Sequence, residues 1–327
     1  MRKNWRLLGA VAIACALVTA GCGSSGDDAA GKTRVVKADN GKITIPENPK
    51  RVVATGYAVP ALIEADAPLV GISTWKRGVP MMSKSEKATY DKLDKVAGEA
   101  AAETNYEAIA EAKPDLIVIG VPKPVLADVD LKRLEEVAPV VAIGPTVPSA
   151  WRDLSQRQAD AAGALKGFNA AKGDYEDKAK ELSEKYGDVL PDVKLAHVGA
   201  YGEIDKGTFQ REFDDSWGTN VANDIGATYY GEVKEKGGGS KDVSEYPSIE
   251  ELPEALGDAE AITYSVGPDG EPLKSVKYVL GSKLWKNLPA VKAGKTFPIR
   301  YTEAATYGDA LLALDALDES LAPLLKK

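Results

Sequence analysis

The 327-residue sequence holds one histidine, two cysteines, three methionines and four phenylalanines. A protein that binds zinc or manganese directly offers several histidines and carboxylates, and the lone His197 cannot supply such a set. His197 lies in the apolar run "KLAHVGA" and reads as a core or strand-end residue. The cysteines are Cys15 and Cys22, so the chain beyond residue 22 has neither a disulfide nor a free thiol. No G-x-S-x-G elbow occurs, and neither "GVPKPV" nor "GGGS" fits the G-x-x-x-x-G-K-[ST] phosphate loop. No catalytic constellation is visible. Cationic excess is also missing: 41 Lys and Arg face 49 Asp and Glu, a net charge of −8, which argues against a nucleic-acid partner. The leading apolar run, "LLGAVAIACALVTA", is too short and too rich in small residues for a good membrane span.

What is present is a globular composition, 44% hydrophobic and 28% charged. The length exceeds what one compact core usually holds, so two lobes are expected. Residues 1–21 have the form of a targeting segment, with the positive "MRKNWR" ahead of the apolar stretch. The following "TAGC" resembles the lipobox of bacterial lipoproteins, which implies lipidation at Cys22. Thr19 stands where a branched apolar residue is commoner, and an ordinary secretory signal is the alternative. Residues 22–33, containing "GSSGDDAAGK", suit a flexible tether. Removing residues 1–21 takes away three basic residues and no acidic one, which moves the net charge from −8 to −11.

From Thr33 the pattern is structured. "TRVVKADNGKITIP" is a hairpin signal around Asn40-Gly41. "KRVVAT", "LVGIS", "DLIVIG" and "VVAIG" read as buried strands, with helical patterns in "PALIEADA", "TNYEAIAEA" and "VDLKRLEEVA" between them. Two helices without an intervening strand are expected over Ala150–Leu165 and Ala170–Tyr186, the second with an apolar stripe at Tyr175, Ala179 and Leu182. After Pro191 the alternation resumes. "KLAHVGA", "AEAITYS" and "KTFPIRY" read as strands; "SWGTNVANDIGA", "SIEELPEAL" and "YGDALLALDALDESLAPLL" read as helices. The prediction is an α/β protein of two Rossmann-like lobes, 34–165 and 191–327, bridged by a long helix within 166–190. "TNYEAIAEAKPDLIVIG" and "PSIEELPEALGDAEAITYS" share one pattern of polar start, glutamate, short helix and apolar strand. They are expected at equivalent places in the two lobes.

"NGKITIPENPKRVV", "YEAIAEAKPDLIVIG" and "WRDLSQRQADAAGAL" resemble segments of the substrate-binding proteins of iron-chelate and cobalamin ABC importers. The resemblance runs from about Val36 to the C-terminus. It implies the class III periplasmic-binding-protein fold, a ligand in the cleft between lobes, and a permease dimer as membrane partner. It also implies one docking glutamate per lobe, Glu107 and Glu250, with Glu251 as the alternative register. Each of these also suits a first-turn glutamate that complements a helix dipole. A lipidated receptor of this kind would sit on the extracellular face of a Gram-positive type membrane, as a monomer.

Aromatic and arginine residues stand at the expected strand ends: Tyr57, Trp75, Arg77, Tyr201, Tyr264, Arg300 and Tyr301, together with Arg211 and Trp217 in "QREFDDSWG", which resembles the R-x-(Y/F) element of that family. Ligands of open α/β sheets bind beyond the carboxyl ends of strands, so these positions are the candidate ligand-binding residues. Their chemistry suits a ferric hydroxamate siderophore. Such a chelate fills the iron's own coordination shell, so no protein metal ligand and no cofactor is expected. Arginine would donate to the hydroxamate oxygens, and aromatic faces would take the alkyl backbone and any pendant cation. The acidic balance favours a neutral or cationic chelate of the ferrioxamine type over a triscatecholate. The rival readings are a cobalamin or haem receptor of the same fold, a surface-anchored enzyme, and an adhesion module. A rigid bridging helix predicts modest closure on binding.

Overall fold

The computed structural model describes residues 31–326. The expected leader, Cys22 and the first part of the tether lie outside the described residues. The first element is an antiparallel hairpin of β1 (Thr33–Ala38) and β2 (Gly41–Pro46). Its loop is Asp39-Asn40, one residue earlier than expected, because Gly41 at φ +123° already pairs with Ala38. The hairpin is clipped to the first lobe through Asp39 N–H to Ala142 O (2.7 Å) and Asn40 Nδ2 to Val140 O (2.9 Å).

The first lobe is a five-stranded parallel sheet of β3 (Val52–Gly56), β4 (Leu69–Ser73), β5 (Lys95–Ala97), β6 (Leu116–Gly120) and β7 (Val140–Ala142), in the order β5-β4-β3-β6-β7. Strand β6, "LIVIG", is buried at every residue, as a strand covered on both faces must be. Helices α1 (Ala58–Glu64), α2 (Lys84–Lys92), α3 (Tyr106–Glu111) and α4 (Leu131–Glu135) connect the strands. Helix α2 and strand β5 escaped the sequence reading. Helix α2 buries only Tyr90 and therefore lacks an apolar stripe, although Ser83 and Glu86 form a capping box at its start.

Two helices follow, α5 (Trp151–Ala161) and α6 (Leu165–Tyr186). The break between them falls at Gly163, φ +68°, where the Ala164 N–H turns back to Ala159 O at 2.8 Å. Helix α6 therefore starts five residues before the expected Ala170. Its 22 residues span about 33 Å. It buries Phe168, Tyr175, Ala179, Leu182 and Tyr186, which contains the expected stripe.

The second sheet holds β8 (Leu195–Gly199), β9 (Gln210–Glu212), β10 (Ser244–Glu245), β11 (Ala261–Ser265) and β12 (Thr296–Ile299), in the order β10-β9-β8-β11-β12. Numbered from its own first strand, each sheet runs third, second, first, fourth, fifth. The two echoing sequences deliver β6 and β11, and these occupy the same place, beside the first strand of each sheet. Strand β9 departs from the copy by running antiparallel to its neighbours. The helices are α7 (Asn220–Asn223), α8 (Leu252–Leu256), α9 (Lys274–Gly281), α10 (Lys283–Asn287), α11 (Pro289–Lys292) and α12 (Tyr307–Leu321). The expected helix over "SWGTNVANDIGA" shrinks to the four residues of α7. Upstream, Thr219 Oγ1 bonds Phe213 O and Asn220 Nδ2 bonds Ser216 O, so side chains hold a turn that competes with helix. Pro253 does not interrupt a helix but stands in the first turn of α8.

One hydrophobic core runs through both lobes. It joins Val52 and Leu116 of the first sheet to Leu195 and Phe297 of the second, through Trp151, Phe168, Tyr307 and Leu314. Polar contacts reinforce it. Arg152 bonds Asp224 Oδ2 (2.6 Å), Trp151 Nε1 bonds Asn220 Oδ1 (2.9 Å), and Tyr186 Oη bonds Asp318 Oδ1 (2.8 Å). Helix α1 of the first lobe caps α12 directly, with the Glu64 carboxylate accepting from the Tyr307 and Gly308 N–H groups. Burial pushes the Glu64 carboxyl up to about 7 despite these donors, and pushes the neighbouring Asp309 up to about 8.

Candidate functional site

The strand order reverses beside β3 in the first sheet and beside β8 in the second, and the carboxyl ends of these strands carry Tyr57 and Tyr201. At the first reversal Gly56 pairs with Gly120. A Cβ on Gly56 would lie 2.6 Å from Gly120 O, and one on Gly120 would lie 2.2 Å from Ala58 N. Only glycine at both places lets the chain turn from β3 into α1 so closely. The Tyr57 N–H is then fixed to Gly120 O at 2.8 Å, which sets the tyrosine at the sheet's edge.

Five of the candidate residues meet there. Tyr57, Trp75 and Arg77 come from the first lobe, Tyr201 and Trp217 from the second. The Tyr57 and Tyr201 hydroxyls stand 3.5 Å apart. Trp75 meets Tyr57 edge-on at 4.9 Å, and Trp217 stacks on Tyr201 at 4.6 Å. The Arg77 guanidinium lies over Tyr57 (4.5 Å) and Trp75 (4.2 Å) and donates to Tyr201 Oη at 3.3 Å. Burial drives the Tyr57 phenol well above its ordinary value, against the pull of Arg77, so it stays protonated. The indole N–H groups of Trp75 and Trp217 find no acceptor among the described residues. Trp75 Nε1 faces Gly78, where a Cβ would lie 2.1 Å away.

Three of these side chains border a cleft of about 570 Å³. Tyr57, Tyr201 and Trp217 line it together with Pro145–Pro148, which follow β7, and two further loops. "GVPKPV" brings Pro122, Lys123 and Pro124, and the "GGGS" segment brings Gly237–Gly239 and Lys241 beside it. Neither cradles phosphate by pattern. The available signal was position: "GVPKPV" begins at the carboxyl end of β6, beside the reversal. Glu303 was also missed. It follows β12, carries a carboxyl raised by burial, and lies close enough to feel the Arg77 charge.

The structure corrects four placements. Arg211 does not face the cleft. It lies mid-strand in β9, over the Phe213 and Tyr230 rings, 3.6 Å from Glu245. Its neighbours Gln210 and Glu212 project the other way, Gln210 Oε1 accepting from the Tyr201 N–H (2.8 Å) and Glu212 from the Gly218 N–H (2.6 Å). Tyr264 packs edge-on against Trp285 at 6.2 Å in the outer core of the second lobe. Arg300 pairs with Glu319 of α12, away from the cleft cluster. Tyr301, at φ +61°, packs against the shared core and does not line the cleft.

His197 is sealed inside the second lobe. Its Nδ1 meets Thr263 Oγ1 at 2.7 Å and its Nε2 meets Ser265 Oγ at 3.0 Å. Burial drops its pKa to about 3, so it is neutral. Both ring nitrogens are occupied, which makes it a core histidine. The two docking candidates are exposed. Glu107 stands in the first turn of α3, paired with Arg133. Its own backbone amide and Arg133 hold its carboxyl below the usual range. Glu250 makes no side-chain bond among the described residues, whereas Glu251 is engaged in a capping box with Ser248. Of the two, Glu250 is the carboxylate without a partner among the described residues.

Comparison with known proteins fits this geometry. The chain is 31% identical over 310 residues to the iron(3+)-hydroxamate-binding protein YxeB of Bacillus subtilis, covering 91% of this chain and 89% of that protein. It is 28% identical over 337 residues to the "Probable siderophore-binding lipoprotein YfiY" of the same organism, covering 98% and 97%. Among solved structures, the siderophore periplasmic binding protein from the fuscachelin gene cluster of Thermobifida fusca superposes with a TM-score of 0.67 at 29% identity, covering 86% of this chain and 98% of that one. These relatives are binding proteins rather than enzymes, and the paired sheets and shared core are those of the class III fold. Residues 52–300, both lobes and the helix between them, match the periplasmic binding protein family, and the chain belongs to that family.

Proposed function

We propose that this chain captures a ferric hydroxamate siderophore of the ferrioxamine type and hands it to an ABC permease. The observation that carries the reading is the aromatic contact across the cleft, where Tyr57, Trp75 and Tyr201 hold one arginine and Trp217 stacks on Tyr201. A hydroxamate chelate presents anionic oxygens around an iron whose shell it already fills. Arg77 can donate to those oxygens, and four ring faces can cover the alkyl links. The curated relative YxeB is named for iron(3+)-hydroxamate binding, which points to the same ligand class. A haem receptor would need a His or Tyr axial ligand; His197 is not free to act as one, and the tyrosine hydroxyls of the cleft are the alternative that the titration below tests.

Delivery would use Glu107 and Glu250, one exposed carboxylate from each of two equivalent helix starts, against a two-fold symmetric permease. Exposed carboxylates steer and orient such an encounter more than they tighten it. Lipidation at Cys22 would hold the receptor on the extracellular face of the membrane, in keeping with the lipoprotein named among its relatives. The ligand class is tested by calorimetric titration with a ferric trihydroxamate, a ferric triscatecholate, cobalamin and haem. Saturable binding of the trihydroxamate at least about tenfold tighter than the others is expected. Tighter binding of haem, cobalamin or the catecholate would overturn the assignment.

A further inference from the structure

A second chamber of about 310 Å³ lies beside the cleft. Tyr57 and Pro122 border both chambers and form the partition between them. The charges on the two sides differ. The larger chamber carries Lys123 and Lys241. The smaller one carries Glu99 and Asp128 at its mouth, with the rings of Tyr57 and Trp75 on its wall.

Arg77 also borders the smaller chamber, and it is the cation placed to neutralise those carboxylates. It does not do so. Its guanidinium is held over the two rings and by Tyr201 Oη at 3.3 Å, and it pairs with neither acid. Glu99 and Asp128 make no side-chain hydrogen bond or ion pair among the described residues. Two carboxylates and two aromatic faces thus line a chamber that shares Tyr57 and Pro122 with the cleft, while the nearby arginine is turned toward the partition. Carboxylates set beside aromatic faces attract a cation through both their charge and the ring quadrupoles.

We propose that the smaller chamber is a subsite for a cationic arm of the ligand, with Glu99 and Asp128 as its counter-charges and the Tyr57 and Trp75 rings as its apolar wall. The proposal rests on the hydroxamate reading of the cleft. The iron-bearing core would lie against the Tyr57–Tyr201 contact, within reach of Arg77 and with Lys123 and Lys241 of the larger chamber beyond it, and an alkylammonium arm would pass Tyr57 into the smaller chamber. Selectivity would then extend beyond the iron centre to the charge at the end of the chelate.

The test uses a linear ferric trihydroxamate ending in a primary amine, and the same chelate with that amine acetylated. Affinities are measured for the wild type and for the Glu99→Gln, Asp128→Asn double variant, both substitutions being at exposed positions. The wild type should prefer the amine form by about five- to tenfold, and the preference should shrink as salt rises. The double variant should bind the amine form about five- to tenfold more weakly and the acetylated form within about twofold of wild type. Equal wild-type affinity for the two chelates, or an unchanged preference in the double variant, would overturn the subsite alone. If neither chelate binds, the hydroxamate reading fails and the subsite with it.

Discussion

Tyr57 Oη and Tyr201 Oη stand 3.5 Å apart, although 144 residues separate them and they belong to different lobes. Each follows the first strand of its own sheet, so the contact joins the two strand-order reversals of the fold. Arg77 is bonded to one of these phenols and stacked on the ring of the other. A ligand held here touches both lobes at once.

Arg211 tests the boundary of the site. It is packed over the Tyr230 and Phe213 rings and paired with Glu245, whose side chain is only 16% exposed. Arg211→Ala should leave ferric hydroxamate affinity within about twofold of wild type. It should lower stability by about 1–3 kcal/mol, because it leaves a poorly solvated carboxylate unpaired. Titration and urea unfolding of the same variant separate the two effects.

The four relocated residues show where sequence reasoning stopped. Strand ends are legible because the parallel strands are continuous apolar runs, and Tyr57, Trp75 and Tyr201 follow them directly. Which face a residue takes is not legible, since one step along a strand reverses it. Tyr264 lies between Thr263 and Ser265, both turned toward His197, and so it must point the other way. Arg211 fails for the same reason, because the three-residue strand β9 that contains it was invisible. Strands β9 and β10 are short, and α2 carries no apolar stripe, so periodicity could not find them. The proline and glycine loops of the cleft reach it through the fold, without any motif of their own.

Asp309 and Glu64 predict how stability depends on pH. Their folded values of about 8 and about 7 lie above the ordinary 3.8 and 4.5, so the folded state binds more protons than the unfolded one between those limits. Stability from these groups is present at low pH and is lost as pH rises through about 7 to 8. The melting temperature of the wild type should therefore fall between about pH 5 and about pH 8.5, and Asp309→Asn should reduce that fall by at least about 3 °C. Calorimetric scans across this range check it. Equal slopes for the two proteins would mean that Asp309 ionises normally in the folded state.

Glu107→Arg combined with Glu250→Arg should abolish siderophore uptake into cells while leaving the affinity in solution within about twofold of wild type. Both residues are exposed and neither lines the cleft, and the paired change reverses both charges proposed to meet the permease. Normal uptake by the double variant would show that docking uses another surface.

The shared core and the 22-residue helix α6 predict little movement between the lobes. Opening them would expose Trp151, Phe168 and Tyr307, each buried in ring contacts of 4.8 to 5.5 Å. Small-angle scattering with and without the chelate should show a change in radius of gyration below about 1 Å. A larger contraction would indicate hinge closure of the kind that two flexible strands permit.

The most direct test of the central claim is the affinity of a ferric trihydroxamate for Tyr201→Ala. Tyr201 is half-buried, and its loss removes the stack on Trp217 and the acceptor for Arg77 without opening the shared core. If the ligand lies across the Tyr57–Tyr201 contact, the variant should bind at least about tenfold more weakly while keeping its melting temperature within about 2 °C. Wild-type affinity in a folded Tyr201→Ala protein would contradict the placement of the ligand between the lobes.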